Sequence, residues 1–291
     1  MSNMTGKHQI VVSAENNAYT GWQCKLFYFS CVTRLQRQPI IIVHDSGGEW
    51  HPDFHELAGA GCVLHRAPNY RHCGKGDDYA PRNTAGSLIH AAKLCAENEF
   101  MVLCDPDLIF TGAMQFPEVL SGDFVSYVNY DKDFIPAARN SVGIKRDLTP
   151  VERETLRCGV PYVIPTAQAS QIGSAWLAAV DAFSPRRWED IMYAFGLAVM
   201  QLGLKVNLTH FATHNYWPDE KLDAPVIHYC YGDEGWTKRN YFRDEQVRNL
   251  WTPSADAAEG SILGELLKQI REAGEFYRDP LKGARGSRGT H

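Results

Sequence analysis

The sequence FMVLCDPDLIF, at residues 100–110, is the stretch that decides the fold. Its first five residues form a short, continuous apolar run, which is typical of a strand buried on both faces. Asp105 and Asp107 end that run, Pro106 stiffens the turn between them, and a second apolar run follows. Open α/β sheets bind their ligands at the carboxyl edge of the strands, so we expect both carboxylates at a ligand-binding edge.

Two carboxylates this close together are costly unless a positive charge lies between them. A divalent cation that also carries a diphosphate meets that need, because Mg²⁺ and Mn²⁺ combine one or two carboxylates with phosphate oxygens. The simpler interpretation is an acidic turn after a strand, which an Asp-x-Asp pair alone does not exclude. The position directly after a buried strand favours the metal site.

The composition is that of a soluble globular protein. The 291 residues carry a net charge of −5, which provides no global basic field for nucleic acid or acidic membranes but leaves room for a local basic patch. There is no apolar run of about 18 residues, and the polar stretch 1–9 has no signal-peptide core, so we expect a cytoplasmic, intracellular protein. The eight cysteines include no CxxC pair, which argues against zinc and fits reduced thiols.

Hydrophobic periodicity predicts strands that alternate with helices over the first 110 residues. That β-α-β-α-β order implies an α/β fold with a mostly parallel central sheet flanked by helices. We expect one domain over residues 1–255, followed at 256–291 by a C-terminal helical appendage with a basic, flexible tail. The predicted strands are 10–13, 40–43, 62–64, 100–104, 123–128, 162–164, 206–208 and 226–229, the helices are 21–36, 54–60, 84–97, 188–202 and 262–277, and 131–157 is predicted to be irregular.

A histidine on a later predicted strand is a further candidate for the metal site. His228 ends an apolar run, where a neutral imidazole can bind the same cation as the two carboxylates. A core histidine with its hydrogen bonds satisfied is the alternative, and lone histidines more often have that role. Tyr231 and Gly232 follow, and they indicate a loop that leaves the sheet where a ligand can lie.

Polar residues after the first predicted strand are candidates for nucleotide binding. Glu15, Asn17, Tyr19 and Gln23 follow that strand, where a base and ribose lie in a nucleotide-binding half-sheet. The segment is not a Gly-rich phosphate loop, and the sequence contains no GxGxxG, GxxxxGK[ST] or GxSxG motif. Their absence argues against a dinucleotide dehydrogenase and a P-loop kinase.

Two helix starts carry charged residues with a possible role in chemistry. Arg82 and Asn83 open the helix before the 100–104 strand, where an arginine can bind phosphate or sugar hydroxyls, or simply lie at the surface beside a helix cap. Glu189 and Asp190 open the 188–202 helix, where a carboxylate can act as a base, orient an acceptor hydroxyl or stabilise an oxocarbenium-like transition state. Acidic residues are also favoured in any first helical turn, which is the simpler interpretation.

The polar, small-residue stretch 168–174 is predicted to be a turn. Gly173 lies in it, and the backbone of such a turn can cradle a sugar. An ordinary connection between two elements is the alternative that we favour from the sequence.

Taken together, these segments resemble the GT-A glycosyltransferases, and more narrowly the hydroxyproline O-arabinosyltransferase and peptidyl-serine α-galactosyltransferase group. The acidic strand end and the His-Tyr-x-Tyr-Gly segment are the most specific parts, and members of that group often have Glu where this chain has Asp105. Those enzymes work in the secretory pathway behind a membrane anchor, which we do not find in this sequence. The segments that carry the resemblance are 19–23, 82–83, 105–110, 172–173, 188–200 and 227–232.

The resemblance implies the GT-A (Rossmann-like) fold, a UDP-sugar donor and retention of anomeric configuration. It implies Mn²⁺ or Mg²⁺ on Asp105, Asp107 and His228, and catalytic roles for Glu189 and Asp190. The residues expected to contact the nucleotide-sugar are Glu15, Asn17, Tyr19, Gln23, Arg82, Asn83, Asp105, Gly173, Tyr231 and Gly232.

The acceptor is left open between a hydroxylated peptide, a hydroxymethylpyrimidine in DNA, as in virally encoded base modification, and a small molecule or glycan. Basic residues near the end of the chain favour DNA weakly, because they can contact phosphates, but a solvated charged face is the simpler explanation and the net acidity of the chain favours it. Two other classes remain, a metal-dependent nucleotidyltransferase and a non-catalytic module that binds a sugar nucleotide. The basic residues are Lys238, Arg239, Arg243 and Arg248.

Overall fold

A computed structural model describes residues 7–72, 78–126, 128–129, 131–183, 186–213, 220–230 and 235–278. Within these residues the strands are β1 (His8–Glu15), β2 (Ile40–Asp45), β3 (Val63–Pro68), β4 (Phe100–Cys104), β5 (Leu108–Phe110), β6 (Ser121–Phe124), β7 (Cys158–Pro165), β8 (Asn207–Thr209), β9 (Ala212–Thr213) and β10 (Val226–His228). The α-helices are α1 (Ala18–Ser30), α2 (Pro52–Gly59), α3 (Arg82–Leu94), α4 (Ile135–Ser141), α5 (Pro150–Thr155), α6 (Thr166–Val180), α7 (Asp190–Gln201), α8 (Asp244–Val247) and α9 (Ile262–Arg278).

Seven strands form the central sheet, in the order β3-β2-β1-β4-β7-β6-β8. β1 runs parallel to β4 and β6 runs parallel to β8, whereas β7 is antiparallel to both of its neighbours. β4 is buried along its whole length, because helices cover both faces of a sheet of this kind. The predicted α/β fold with a mostly parallel sheet is confirmed.

A second sheet of three strands has the order β5-β10-β9. β10 is antiparallel to β5 and parallel to β9. The register pairs Leu108 with His228 and Ile109 with Ile227. This small sheet therefore joins the two segments that the sequence analysis selected for the metal site.

The described residues divide into two compact units. Those of the first lie within Met1–Ser13, Ala67–Cys104 and Phe116–His210, and those of the second lie within Ala14–Arg66, Asp105–Gln115 and Phe211–His291. In the first unit, α6 packs against α3 and α7, and the rings of Tyr162, Trp176 and Phe195 pack together with centroids 4.3 to 5.3 Å apart.

In the second unit, the amphipathic helix α9 packs against α1. Its apolar face, with Leu263, Leu266 and Ile270 fully buried, joins one cluster with Trp22 and Ile227. Burial of leucine and isoleucine side chains stabilises such a packing by roughly 1.5–3 kcal/mol for each residue. No helix in the described ranges has both the length and the apolar character required to cross a bilayer.

Two predictions of local structure are wrong. Residues 131–157 contain α4 and α5, because Pro136 and Pro150 lie in first helical turns, where proline needs no hydrogen-bond partner. A capping box between Thr149 and Glu152 begins α5. The polar turn predicted at 168–174 lies inside α6, whose small residues allow a close approach to α3.

Candidate metal and nucleotide site

The site in the second unit is assembled by two chain segments that meet in the small sheet. Asp105 and Asp107 precede β5, and the antiparallel β10 ends at His228 opposite Leu108. The backbone N–H of Tyr229 donates to the carbonyl of Asp107 over 3.1 Å, which extends the strand pairing to the acidic turn. Strand register therefore brings the imidazole to the carboxylates.

The three side chains together form a group with metal-ligating atoms. One ligand atom from each of Asp105, Asp107 and His228 lies within 4.8 Å of the others. His228 Nε2 lies 3.3 Å from Asp107 Oδ1, and both residues are buried. Two carboxylates and an imidazole are suitable first-row divalent metal ligands, and Asp-Asp-His leaves positions open for substrate oxygens.

The electrostatics of the two carboxylates differ. Burial and the neighbouring charge of Asp107 raise the pKa of Asp105 to about 6. Burial also acts to raise the pKa of Asp107, but the charges of Lys238 and His228 outweigh it and hold that pKa well below its usual range. The negative charge of Asp107 is therefore already balanced by neighbouring positive charge. The ionised form of Asp105 would be stabilised by an added cation.

Lys238 is a member of this site that the sequence analysis did not assign to it. It lies in the short 3-10 turn Lys238–Asn240, and its ammonium donates to Asp107 Oδ2. Only 15% of the side chain is exposed, so Lys238 does not present the solvent-exposed charge expected of a DNA-contacting lysine. The available sequence signal was its place ten residues after His228, within the segment that leaves β10.

The residues predicted to bind the nucleotide lie at the start of α1 in the same unit. Asn17 caps that helix by accepting the N–H of Thr20 over 2.9 Å. Tyr19 hydrogen-bonds to Lys238, and its ring stacks on Phe242 with centroids 4.3 Å apart. These contacts connect the predicted nucleotide segment to the carboxylates through Lys238.

Two further members of that segment have local contacts. Gln23 Nε2 donates to the Tyr19 carbonyl over 2.7 Å, which fixes the Tyr19 backbone. Glu15 ends β1, and its carboxylate accepts from Asn17 Nδ2 over 3.3 Å. The structure thus brings Glu15, Asn17, Tyr19 and Gln23 together, while their contact with a nucleotide stays a prediction.

Arg82 and Asn83 lie at the start of α3 in the first unit. The Arg82 guanidinium donates to both oxygens of Asp181, over 3.1 and 3.0 Å, and to the Tyr70 carbonyl. The buried Asn83 accepts the Tyr70 N–H over 2.7 Å and donates to Asn69. These contacts tie α3 to its surroundings, and a phosphate-binding role for the pair stays a prediction.

Glu189 and Asp190 lie at the start of α7, as predicted. Asp190 is fully buried, and its Oδ1 accepts from Nε and Nη2 of Arg187 over 3.1 and 3.0 Å. Its Oδ2 accepts the Arg187 backbone N–H over 2.8 Å. Burial raises the pKa of Asp190, against the hydrogen bonds from Arg187 that lower it. Its contacts are those of a helix-start carboxylate, and a catalytic role for either residue stays a prediction.

The remaining predicted residues have separate positions. Gly173 is buried in α6 against α3, where a Cβ atom would lie 3.0 Å from Leu88 Cβ. This packing accounts for a small residue inside a helix, while contact between Gly173 and a nucleotide-sugar stays a prediction. Tyr231 and Gly232 lie outside the described residues.

Comparison with known proteins supports the fold. No protein-family model and no curated protein sequence matches the chain. The chain is similar to LgtC, seen in a crystal structure of an active-site mutant, with a TM-score of 0.52 and 11% sequence identity. The match covers 92% of this chain and 95% of the LgtC chain. Because LgtC is a GT-A glycosyltransferase, the likeness shows the GT-A fold, while the narrower arabinosyl- or galactosyltransferase group stays a prediction.

Proposed function

We propose that the chain is a metal-dependent glycosyltransferase that moves a sugar from a UDP-sugar to a hydroxyl acceptor, with retention of anomeric configuration. The observation that carries the proposal is the meeting of Asp105, Asp107 and His228 at one end of the small sheet. The GT-A fold adds support, because it provides a nucleotide-binding sheet around such a group.

The side chains at this site fit a divalent cation. Asp105 is half-buried, has a raised pKa and has no described salt bridge of its own, so its carboxylate gains from an added positive charge. Mn²⁺ and Mg²⁺ both accept carboxylate oxygen, and the imidazole nitrogen of His228 favours Mn²⁺ over Mg²⁺, because Mg²⁺ is a hard cation that takes oxygen ligands. When bound, such an ion would offset the charge that develops on the leaving diphosphate.

Lys238 and Tyr19 have complementary tasks in this proposal. The ammonium of Lys238 donates a hydrogen bond to Asp107. When the donor binds, the ammonium can instead donate to a phosphate oxygen of the donor. Tyr19 orients Lys238 by a hydrogen bond and presents an aromatic ring, stacked on Phe242, beside the predicted base-binding segment. Both residues therefore act on the donor, and neither identifies the acceptor.

The acceptor in this proposal carries a hydroxyl group, on a hydroxylated peptide or on a hydroxymethylpyrimidine of DNA. In a retaining transfer, the leaving phosphate can take the acceptor proton, so no side-chain base is required. A task for Glu189 or Asp190 in orienting the acceptor or stabilising positive charge stays a prediction from the sequence.

UDP release from a panel of UDP-sugars, with Mn²⁺, with Mg²⁺ and with chelator, tests the proposal. We expect slow release from one sugar that chelator abolishes and Asp107→Asn removes. Asp223→Asn, at an exposed aspartate of the same unit, is the matched control and should release UDP at the wild-type rate. Release that is insensitive to chelator contradicts the metal assignment. Pyrophosphate release from nucleoside triphosphates would instead indicate a nucleotidyltransferase.

A further inference from the structure

The first unit contains a charged cavity of about 160 Å³ that belongs to none of the site residues described above. It is lined by α4, by the residues that precede α4, and by the connection into α5 and its end. The apolar part of the lining consists of the buried Ile135, Leu148 and Leu156 and the exposed Pro136, and the charged part consists of Asp131, Lys132, Arg139, Asp147 and Arg153.

The cations of this cavity outnumber its carboxylates by three to two. The side chain of Arg139 is only 12% exposed, whereas that of its partner Asp147 is 91% exposed. Arg153 lies 3.9 Å from Asp131, which is 71% exposed. The two carboxylates are therefore solvent-exposed and can leave their ion pairs for water, while the fold holds Arg139 in place.

Arg139 has unused hydrogen-bonding capacity. Its Nη1 donates to Asp147 Oδ1 over 2.8 Å. Its buried Nε has no acceptor among the described residues. A guanidinium binds carboxylates and phosphates in bidentate fashion through paired N–H groups, and an unsatisfied buried N–H is costly. An oxyanion in the cavity, after a small rotation of the side chain, would supply the missing acceptor.

Lys132 is placed to complete such a site. Its backbone carbonyl accepts the N–H of Ile135 over 3.0 Å, which fixes it to the start of α4 beside the cavity. We propose that this cavity binds a phosphate group, with Arg139 as the central ligand and with Lys132 and Arg153 completing the positive charge. Nothing in this inference depends on the metal site or on the proposed transferase activity.

The first experiment follows the arginine Nε–H resonances of the ¹⁵N-labelled full chain during titration with inorganic phosphate in chelator. Arg139→Gln identifies the Arg139 signal by its disappearance. In the wild type, we expect that signal to move and to saturate. Lys132→Met should weaken the apparent affinity at least about fivefold, since it removes one of three cations. Arg146→Gln, at an exposed arginine that pairs with Glu152 and does not line the cavity, should keep the affinity within about twofold.

A stationary Arg139 signal, or one that moves with equal affinity in Lys132→Met, overturns the proposal. Lys132→Met guards against a folding artefact, because Lys132 is exposed and its loss disturbs no buried contact. A parallel titration with phenyl phosphate identifies the source of the anion. Tighter binding than that of inorganic phosphate indicates a phosphate ester whose apolar part lies on Ile135, Leu148 or Leu156. Equal affinity indicates a free phosphate ion.

Discussion

Asp107 and Asp190 are both buried carboxylates that are paired with a cation, yet they differ in where the cation comes from. Asp190 is satisfied by Arg187, three residues earlier, through both side-chain and backbone N–H groups. Asp107 is paired with His228 and Lys238, which lie more than a hundred residues later in the sequence. The start of its own helix supplies the partners of Asp190, whereas the partners of Asp107 are brought to it by the tertiary fold.

We expect this difference to distinguish a structural carboxylate from a ligand-binding one better than the effect of burial on the pKa does. Burial acts to raise the pKa of Asp105, Asp107 and Asp190 alike. Asp107 lies beside Asp105, whose raised pKa means that it gains from another positive charge, whereas the carboxylate that acts on Asp190 is that of its chain neighbour Glu189. A buried carboxylate whose partners converge from distant segments, with charge still to be balanced, is the stronger candidate for ligand binding.

The largest expected effect is that of Asp107→Asn. It removes the carboxylate that faces both His228 and Lys238, so we expect metal-dependent UDP release to fall at least about 1,000-fold, or about 4 kcal/mol in transition-state free energy. The measurement is kcat/KM with Mn²⁺, alongside a thermal melt to verify folding. Wild-type turnover in a folded Asp107→Asn protein would remove Asp107 from the site.

Lys238→Met should change two quantities in opposite directions. Without the ammonium, turnover of the UDP-sugar should fall about 10- to 100-fold, because a cation for the phosphates is lost. Mn²⁺ should bind more tightly in the absence of nucleotide, since the ion and the ammonium compete for Asp107. Kinetics and calorimetry measure the two effects. Lys238→Arg keeps the charge and should recover part of the turnover, while weaker Mn²⁺ binding in Lys238→Met would contradict the competition.

Asp190→Asn tests the other half of the comparison. The substitution leaves the Arg187 guanidinium without its buried carboxylate, so we expect a loss of about 2 kcal/mol in the free energy of unfolding. Turnover of the folded protein should stay within about twofold of the wild type. Denaturant unfolding and kcat measure the two. Unchanged stability with a 100-fold loss of kcat would support the catalytic role that the sequence predicts for Asp190.

The features that depend on local sequence patterns, such as buried strands and the residues that follow them, were predicted best. The continuous apolar run of β4 identified a buried strand, and the acidic residues after it identified Asp105 and Asp107 as candidate metal ligands. The end of a second apolar run identified His228, and the structure brings the three residues together. Lys238 was misassigned as a surface charge, because its place on Asp107 depends on the path of the chain after β10. Nothing local distinguishes a lysine that folds back onto a carboxylate from one that points into water.

Proline and small residues misled the prediction for a different reason. Proline breaks a helix only in the helix interior, and Pro136 and Pro150 both lie in first turns. To predict that they are tolerated, one must know where each helix begins. Residues 168–174 of α6 were taken for a turn because Gly and Ser favour turns in isolation. Their small size is instead required by the nearness of α3, which a single sequence does not reveal.

Gly173→Ala is the smallest effect and it tests that packing directly. An added Cβ would lie 3.0 Å from Leu88 Cβ and 3.1 Å from the Ala85 carbonyl, and these atoms move only if α3 moves. Overpacking of this kind costs about 1–3 kcal/mol and the better helix propensity of alanine returns about 1, so we expect a net loss of about 1 kcal/mol in unfolding free energy.

Gly59→Ala, on the exposed last position of α2 with no atom within 4 Å of a new Cβ, should instead stabilise by about 0.5 kcal/mol. Unfolding curves of the two variants give opposite signs if Gly173 serves the α3–α6 contact. If Gly173→Ala keeps full stability and loses UDP-sugar turnover, the glycine serves the ligand after all, and α6 belongs with the site.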